Sequence, residues 1–261
     1  MDPLLASWGT IRLLGLELAD ASLAEVAEAL ALRSPTLRFS YVVTPNADHF
    51  VRLASQPNSL LPYYLTAGAL LLDSRVVSRL GRFLGLQVPP VVTGSDLTAE
   101  LFQRWISRDE PVTIIGTTSR SVAQLIRTYS LTRVAHFAPP FGFEAHPQFI
   151  DQCVHFVQTH PARFVFLACG APRQELLAHR IAQTGGASGI GLCIGAAIDQ
   201  IGGIESRAPH WMRSAGLEWC WRIRREPRRL GLRYLHDVTI IPALIRERIG
   251  AQIGRGGVQK R

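Results

Sequence analysis

Short apolar runs alternate along this chain with stretches in which apolar residues recur at helical spacing. Phe39 to Val43, Leu65 to Leu72, Pro111 to Gly116, Arg133 to Phe137, Phe164 to Ala168 and Gly189 to Ile198 read as strands. Ile11 to Leu18 reads as a further strand or arm. Between them, Leu23, Val26, Ala27 and Leu30 form one helical stripe behind Asp20 and Ser22 as caps. Thr44 is expected to cap a helix opening at Pro45, and Ser95 and Asp96 one over Leu97 to Ile106. Arg75 to Leu84 and Ser121 to Tyr129 read as two more. Strand and helix in regular alternation predict an α/β fold with a doubly wound parallel sheet and right-handed crossovers.

In such sheets ligands gather at the carboxyl ends of the strands, so the residues closing each apolar run carry the interest. The run Phe164 to Ala168 empties through Gly170-Ala171-Pro172 into a helix beginning near Arg173-Gln174-Glu175. Unpaired N–H groups and the positive dipole end of a helix make that junction an anion site, with Gly170 permitting close approach and Pro172 setting the first turn. Arg173 and Gln174 add donors suited to phosphate and sugar oxygens. A strand-to-helix turn whose glycine serves packing alone is the alternative.

Other strand ends are equally polar. Phe39 to Val43 runs into Thr44-Pro45-Asn46, and Leu65 to Leu72 closes on Asp73. An acid at the end of a buried run needs a partner or a task, so Asp73 is either a general base or the cap of the following helix. Gly116-Thr117-Thr118-Ser119 is a glycine-hydroxyl turn with one glycine, short of a dinucleotide fingerprint. Phe141-Gly142-Phe143 is an aromatic loop able either to stack a planar base or to plug the sheet edge.

Composition narrows the class. The 261 residues, 47% hydrophobic and 18% charged, describe a packed globular chain. Cys153, Cys169, Cys193 and Cys220 lack metal-ligand spacing and read as reduced thiols, and no signal peptide is evident. Two uncharged stretches, Leu53 to Leu72 and Ile181 to Ile198, are interrupted by prolines or by five glycines, so neither is a credible span. Charge is uneven. Residues 207–261 hold 13 Lys+Arg against 4 Asp+Glu, net +9, leaving 15 against 16 for residues 1–206. The division expected is a catalytic domain over 1–206 and a basic, mainly helical appendage over 207–261. Arginines interleaved with Trp211, Trp219 and Trp221 suit an anionic membrane surface, with a solvated basic helix as the alternative. No DNA or RNA motif is present, and a nucleic-acid partner is not expected.

Taken in order, Thr44-Pro45-Asn46, Asp73, Gly94-Ser95-Asp96-Leu97, Gly170-Ala171-Pro172-Arg173-Gln174-Glu175, and Arg207-Ala208-Pro209 through Gly216-Leu217-Glu218-Trp219, Arg222, Glu226-Pro227 and Arg229 resemble the WecG/TagA/CpsF glycosyltransferases, glycosyltransferase family 26. The resemblance covers about residues 11 to 235. It implies a Rossmann-like sheet and an inverting transfer from a UDP-sugar to a polyprenyl-diphosphate-linked sugar at the cytoplasmic membrane face, serving cell-surface or extracellular polysaccharide synthesis. It also implies a membrane-associated C-terminal appendage. Ser74 stands where the family typically has glycine, and an arginine often found before the Gly-x-Asp motif is replaced near Val91.

With the residues matched, Asp73 is the expected base, with Thr44, Asn46 and Gln174 orienting substrates around it. Gly116, Phe141, Gly142, Phe143, Gly170, Pro172, Arg173, Gln174 and Glu175 are expected on the donor. Arg207, Trp219, Arg222, Arg225, Arg229 and Arg233 are expected on the acceptor or membrane. No Asp-x-Asp occurs, so leaving-group stabilisation is expected from helix N-termini and arginines without a metal or cofactor. A homo-oligomer is compatible with all of this.

Overall fold

In the computed structural model, residues 7–201, 212, 220–221 and 238–258 are described. Six strands, β3 (Ser40–Val43), β4 (Ala69–Leu70), β5 (Val112–Gly116), β6 (Val134–Phe137), β7 (Phe164–Ala168) and β8 (Ile190–Cys193), pair in the order β4-β3-β8-β7-β5-β6. Every pairing is parallel.

The continuous apolar runs follow from burial on both faces. Tyr41, Val43, Val165, Leu167 and Cys193 point into one core, while Val42, Phe164, Phe166, Ile190 and Leu192 point into the other. On the first face lie α2 (Ala47–Ser55), α3 (Pro57–Leu65), α7 (Pro147–Thr159) and α8 (Arg173–Thr184). The second face carries α1 (Leu23–Leu32), α5 (Gly94–Glu100) with its π-turn Leu101–Trp105, α6 (Ser119–Tyr129) and α9 (Ala197–Ile201). Helix α4 (Arg75–Phe83) adds Val77 to the first core.

Three expectations about local structure change. Ile11 to Leu18 is not one strand but an antiparallel hairpin, β1 (Thr10–Leu13) and β2 (Leu16–Ala19). Its two-residue turn places Leu14 at φ 52 and Gly15 at φ 82, the double left-handed geometry that matches strand twist. Thr44 does not cap α2. Asn46 occupies the N-cap position, and Thr44 instead donates through Oγ1 to the Cys193 carbonyl at 3.1 Å. Likewise Thr93, rather than Ser95 or Asp96, caps α5, its Oγ1 accepting from Asp96 N at 3.0 Å and donating to the Asp96 carboxylate at 2.8 Å.

The last described helix, α10 (Ile240–Val258), packs against the first core through Ile240 and Leu244. Leu14 N donates to Glu247 at 2.6 Å, joining this helix to the hairpin turn. Among the described residues no helix is long and apolar enough to cross a membrane. Arg207, Trp219, Arg222, Arg225, Arg229 and Arg233 lie outside the described residues, as does most of the expected appendage.

Candidate active site

From β5 the chain crosses to β6 on one side, and from β7 to β8 on the other, so the winding reverses at this edge, the place where doubly wound sheets bind ligands. Most of the predicted polar strand ends collect along this carboxyl edge.

Asp73 follows β4 at the sheet margin, but its bonds carry it inward over β3 and β8. Its N–H donates to the Pro45 carbonyl at 2.9 Å, and its Oδ2 accepts from Gly94 N at 3.0 Å. Gly94 begins α5 and is buried. A methyl group there would meet Thr44 Oγ1 at 3.1 Å and Ile194 Cα at 3.4 Å. Thr44, Asp73 and the end of β8 are therefore brought together across one glycine. The capping role that competed for Asp73 belongs to Ser74, whose side chain accepts from Val77 N at 3.2 Å. Asp73 is thus not the cap of α4; its carboxylate accepts instead from the first N–H of α5.

The end of β7 is built differently from expectation. Pro172, after a cis Ala171–Pro172 bond, is the N-cap residue, and the helix begins at Arg173. Gly170 has φ +74, and a methyl group there would meet only Arg173 Nη2, at 3.6 Å. The Arg173 guanidinium lies over the Phe141 ring at 5.1 Å, and that ring is 94% exposed. A cation in the first turn of a helix opposes the dipole, a cost of about 0.3–1 kcal/mol that an anion bound there removes. Within the aromatic loop, Gly142 takes φ 79 and turns Phe143 into the core, where it is 2% exposed. Phe143 has no face left for a base, so only Phe141 is available to stack one.

Gln174 and Glu175, expected on the donor, point inward. Gln174 is 3% exposed; its Nε2 donates to Glu175 Oε1 at 2.7 Å and its Oε1 accepts from Gly195 N at 2.9 Å. Glu175, fully buried, faces His49 Nε2 across 3.5 Å. His49 Nδ1 lies 2.8 Å from Asn46 Oδ1 and 3.3 Å from Asn46 N. Asn46 and Gln174 are therefore linked, through two residues whose roles the spacing does not disclose.

Gly116 is set by packing as well. At φ +91, any side chain would strike the Ala168 carbonyl at 2.7 Å, and its own carbonyl accepts from His136 Nε2 at 2.9 Å. The polar contacts of this strand end belong to Thr117 and Ser121, whose hydroxyls both donate to Asp199 Oδ1 at 2.5 Å. Asp199, in α9, ties the β5 and β8 ends together. Its only sequence signal was an acid shortly after a glycine-rich strand.

No thiol competes for a chemical role at this edge. Burial pushes Cys169 up to about 12 and Cys193 well above the ordinary thiol value. Among the described residues, no His, Cys, Asp and Glu side chains group in a metal-holding arrangement.

The sequence profile of the Glycosyl transferase WecG/TagA/CpsF family matches residues 11–253, nearly the whole chain. The chain belongs to this family. It is therefore a glycosyltransferase, of a family engaged in cell-surface polysaccharide synthesis, and takes a sugar donor and an acceptor. Thr44-Pro45-Asn46, Asp73, Gly94 and Gly170 through Glu175 all lie along the carboxyl edge of the sheet.

Proposed function

We propose that this WecG/TagA/CpsF enzyme transfers a sugar, with inversion, from a UDP-sugar to a polyprenyl-diphosphate-linked sugar. The reading rests on Asp73, a carboxylate fixed beside Thr44 at the carboxyl edge and not spent on capping its own helix. Asp73 removes the proton of the acceptor hydroxyl as that oxygen attacks the anomeric carbon, opposite the departing UDP. One displacement of this kind inverts the centre.

The donor diphosphate lies at the N-terminus of α8, against the backbone N–H groups after Gly170 and the Arg173 guanidinium. Phe141 stacks the uracil, its ring being exposed beside that arginine. Gln174 acts from beneath, holding Gly195 in place. Charge on the leaving diphosphate is met by these donors, without a metal ion. The net charge of +9 in residues 207–261 holds the enzyme against the anionic cytoplasmic face of the membrane, where the lipid-linked acceptor resides.

The deciding experiment incubates the protein with a panel of UDP-sugars and a short polyprenyl-diphosphate-sugar, and determines the anomeric configuration of the product. A new glycosidic bond of inverted configuration from one donor is expected. A retained configuration, or transfer only from other nucleotide donors, overturns the reading.

A further inference from the structure

Beneath the site, three strand ends meet on one buried carboxylate. Glu175 is wholly buried, Gln174 3% and His49 5% exposed, so water does not settle the orientation of their polar groups. We infer that Glu175 and His49 are positioning residues, which together fix the amide of Gln174 and the loop ends at Asn46 and Gly195 as one unit. The inference rests on the transferase reading for its kinetic consequence and on geometry alone for the rest.

Glu175 Oε1 can only accept, so the nitrogen of the Gln174 amide must face it, at 2.7 Å. Gly195 N can only donate, so the Gln174 oxygen must face it, at 2.9 Å. One of the two amide orientations satisfies both, and the carboxylate decides which. The same carboxylate faces His49 Nε2 across 3.5 Å; a hydrogen on Nε2 leaves Nδ1 to accept from Asn46 N at 3.3 Å, with the Asn46 amide turned so that its NH2 rather than its oxygen meets Nδ1. Thus β3, β7 and β8 are referred to a single group.

Stability gives no reason for such a group. Among the described residues, His49 Nε2 and Glu175 Oε2 are buried without a hydrogen-bond partner. An apolar cluster of the same shape would fold at least as well. Glu175 also lies in the first turn of α8, where a charge is held by the dipole, and its charge adds to burial in raising the Tyr64 phenol above its ordinary range.

Glu175→Gln tests this, because it keeps the volume and reverses the proton logic. A glutamine that accepts from Gln174 turns its NH2 to His49, so Nε2 must give up its hydrogen and Nδ1 must carry it. With ¹⁵N-labelled histidine, His49 should show a protonated Nε2 in the parent and a protonated Nδ1 in the variant, with the amide signals of Asn46 and Gly195 both displaced. Transfer should slow by about 10- to 100-fold, as a misplacement of about 1 Å costs. Under the same reasoning His49→Gln, which keeps a donor facing Glu175, retains more activity than His49→Leu.

An unchanged His49 tautomer, or parental turnover in Glu175→Gln, overturns the inference. If Glu175→Gln fails to fold, the two His49 variants decide: equal turnover in both refutes it. A parent that transfers nothing would defeat the transferase reading, while the nitrogen and amide signals would still decide whether the unit exists.

Discussion

Replacing Asp73 by asparagine separates chemistry from architecture, because the residue does two things that the amide divides. As an acceptor it holds Gly94 N at 3.0 Å, and an asparagine oxygen can keep that bond. Trading a charged acceptor for a neutral one there costs about 1 kcal/mol of stability. As a base it is lost altogether, which lowers turnover by about 10² to 10⁴. At 1.36 kcal/mol per tenfold, that is about 2.7–5.4 kcal/mol on the barrier. Alanine removes both functions and leaves a buried N–H at the start of α5 unpaired, a further cost of about 1–3 kcal/mol. Transfer rates measured beside thermal melts should therefore show Asp73→Asn nearly as stable as the parent and nearly inactive, and Asp73→Ala inactive with a visibly lower midpoint. Parental turnover in Asp73→Asn would reduce Asp73 to an anchor for α5 and refute the base assignment.

Four further outcomes are expected. Transfer should persist in excess chelator; complete loss that magnesium or manganese restores would show that the leaving group needs a metal. Arg173→Ala should weaken UDP binding by about 1.5–3 kcal/mol in calorimetry, the range for a hydrogen bond to a charged group, and unchanged affinity would move the diphosphate elsewhere. Burial raises the Glu247 carboxyl above its ordinary 4.5, against the opposing pull of Leu14 N and Arg12, so its contribution to stability is full below 4.5 and is lost as pH rises through the raised value. Glu247→Gln should accordingly raise the melting midpoint at pH 8 and leave it unchanged at pH 4, and an equal shift at both would remove that carboxyl from the account. Glutamines at Arg222, Arg225, Arg229 and Arg233 should cut flotation with anionic vesicles, at about 1 kcal/mol per charge near the surface, and undiminished flotation would place membrane contact elsewhere.

The sheet was legible because its strands are buried on both faces and so appear as unbroken apolar runs, each followed by helical spacing. What escaped was decided by contacts distant in sequence. A hairpin inside Ile11 to Leu18 turns on Leu14-Gly15, a pair without the asparagine or aspartate that usually announces such a turn. Phe141 and Phe143 look equivalent in sequence, and only the left-handed Gly142 between them sends one to solvent and the other to the core. Thr44 has the composition of a cap, but the carbonyl of Cys193, on a neighbouring strand, claims its hydroxyl. Motif position was readable in each case, whereas side-chain direction was not.

The same distinction bears on residues 207–261. Their charge invites removal of the whole segment as a test of membrane binding, yet Ile240 and Leu244 of α10 are 3% and 0% exposed within the first core. Uncovering two such side chains costs about 1.5–3 kcal/mol each, a large share of the 5–15 kcal/mol that holds a typical domain folded. The segment also supplies Glu247 to the hairpin turn at Leu14 and Arg248 to the Gly85 carbonyl at 3.3 Å. A chain ending before Arg207 would thus lose part of its own core along with its positive charge, and its failure to bind vesicles or transfer sugar would have two causes. Substitution at Arg222, Arg225, Arg229 and Arg233 removes positive charge while leaving Ile240 and Leu244 in place.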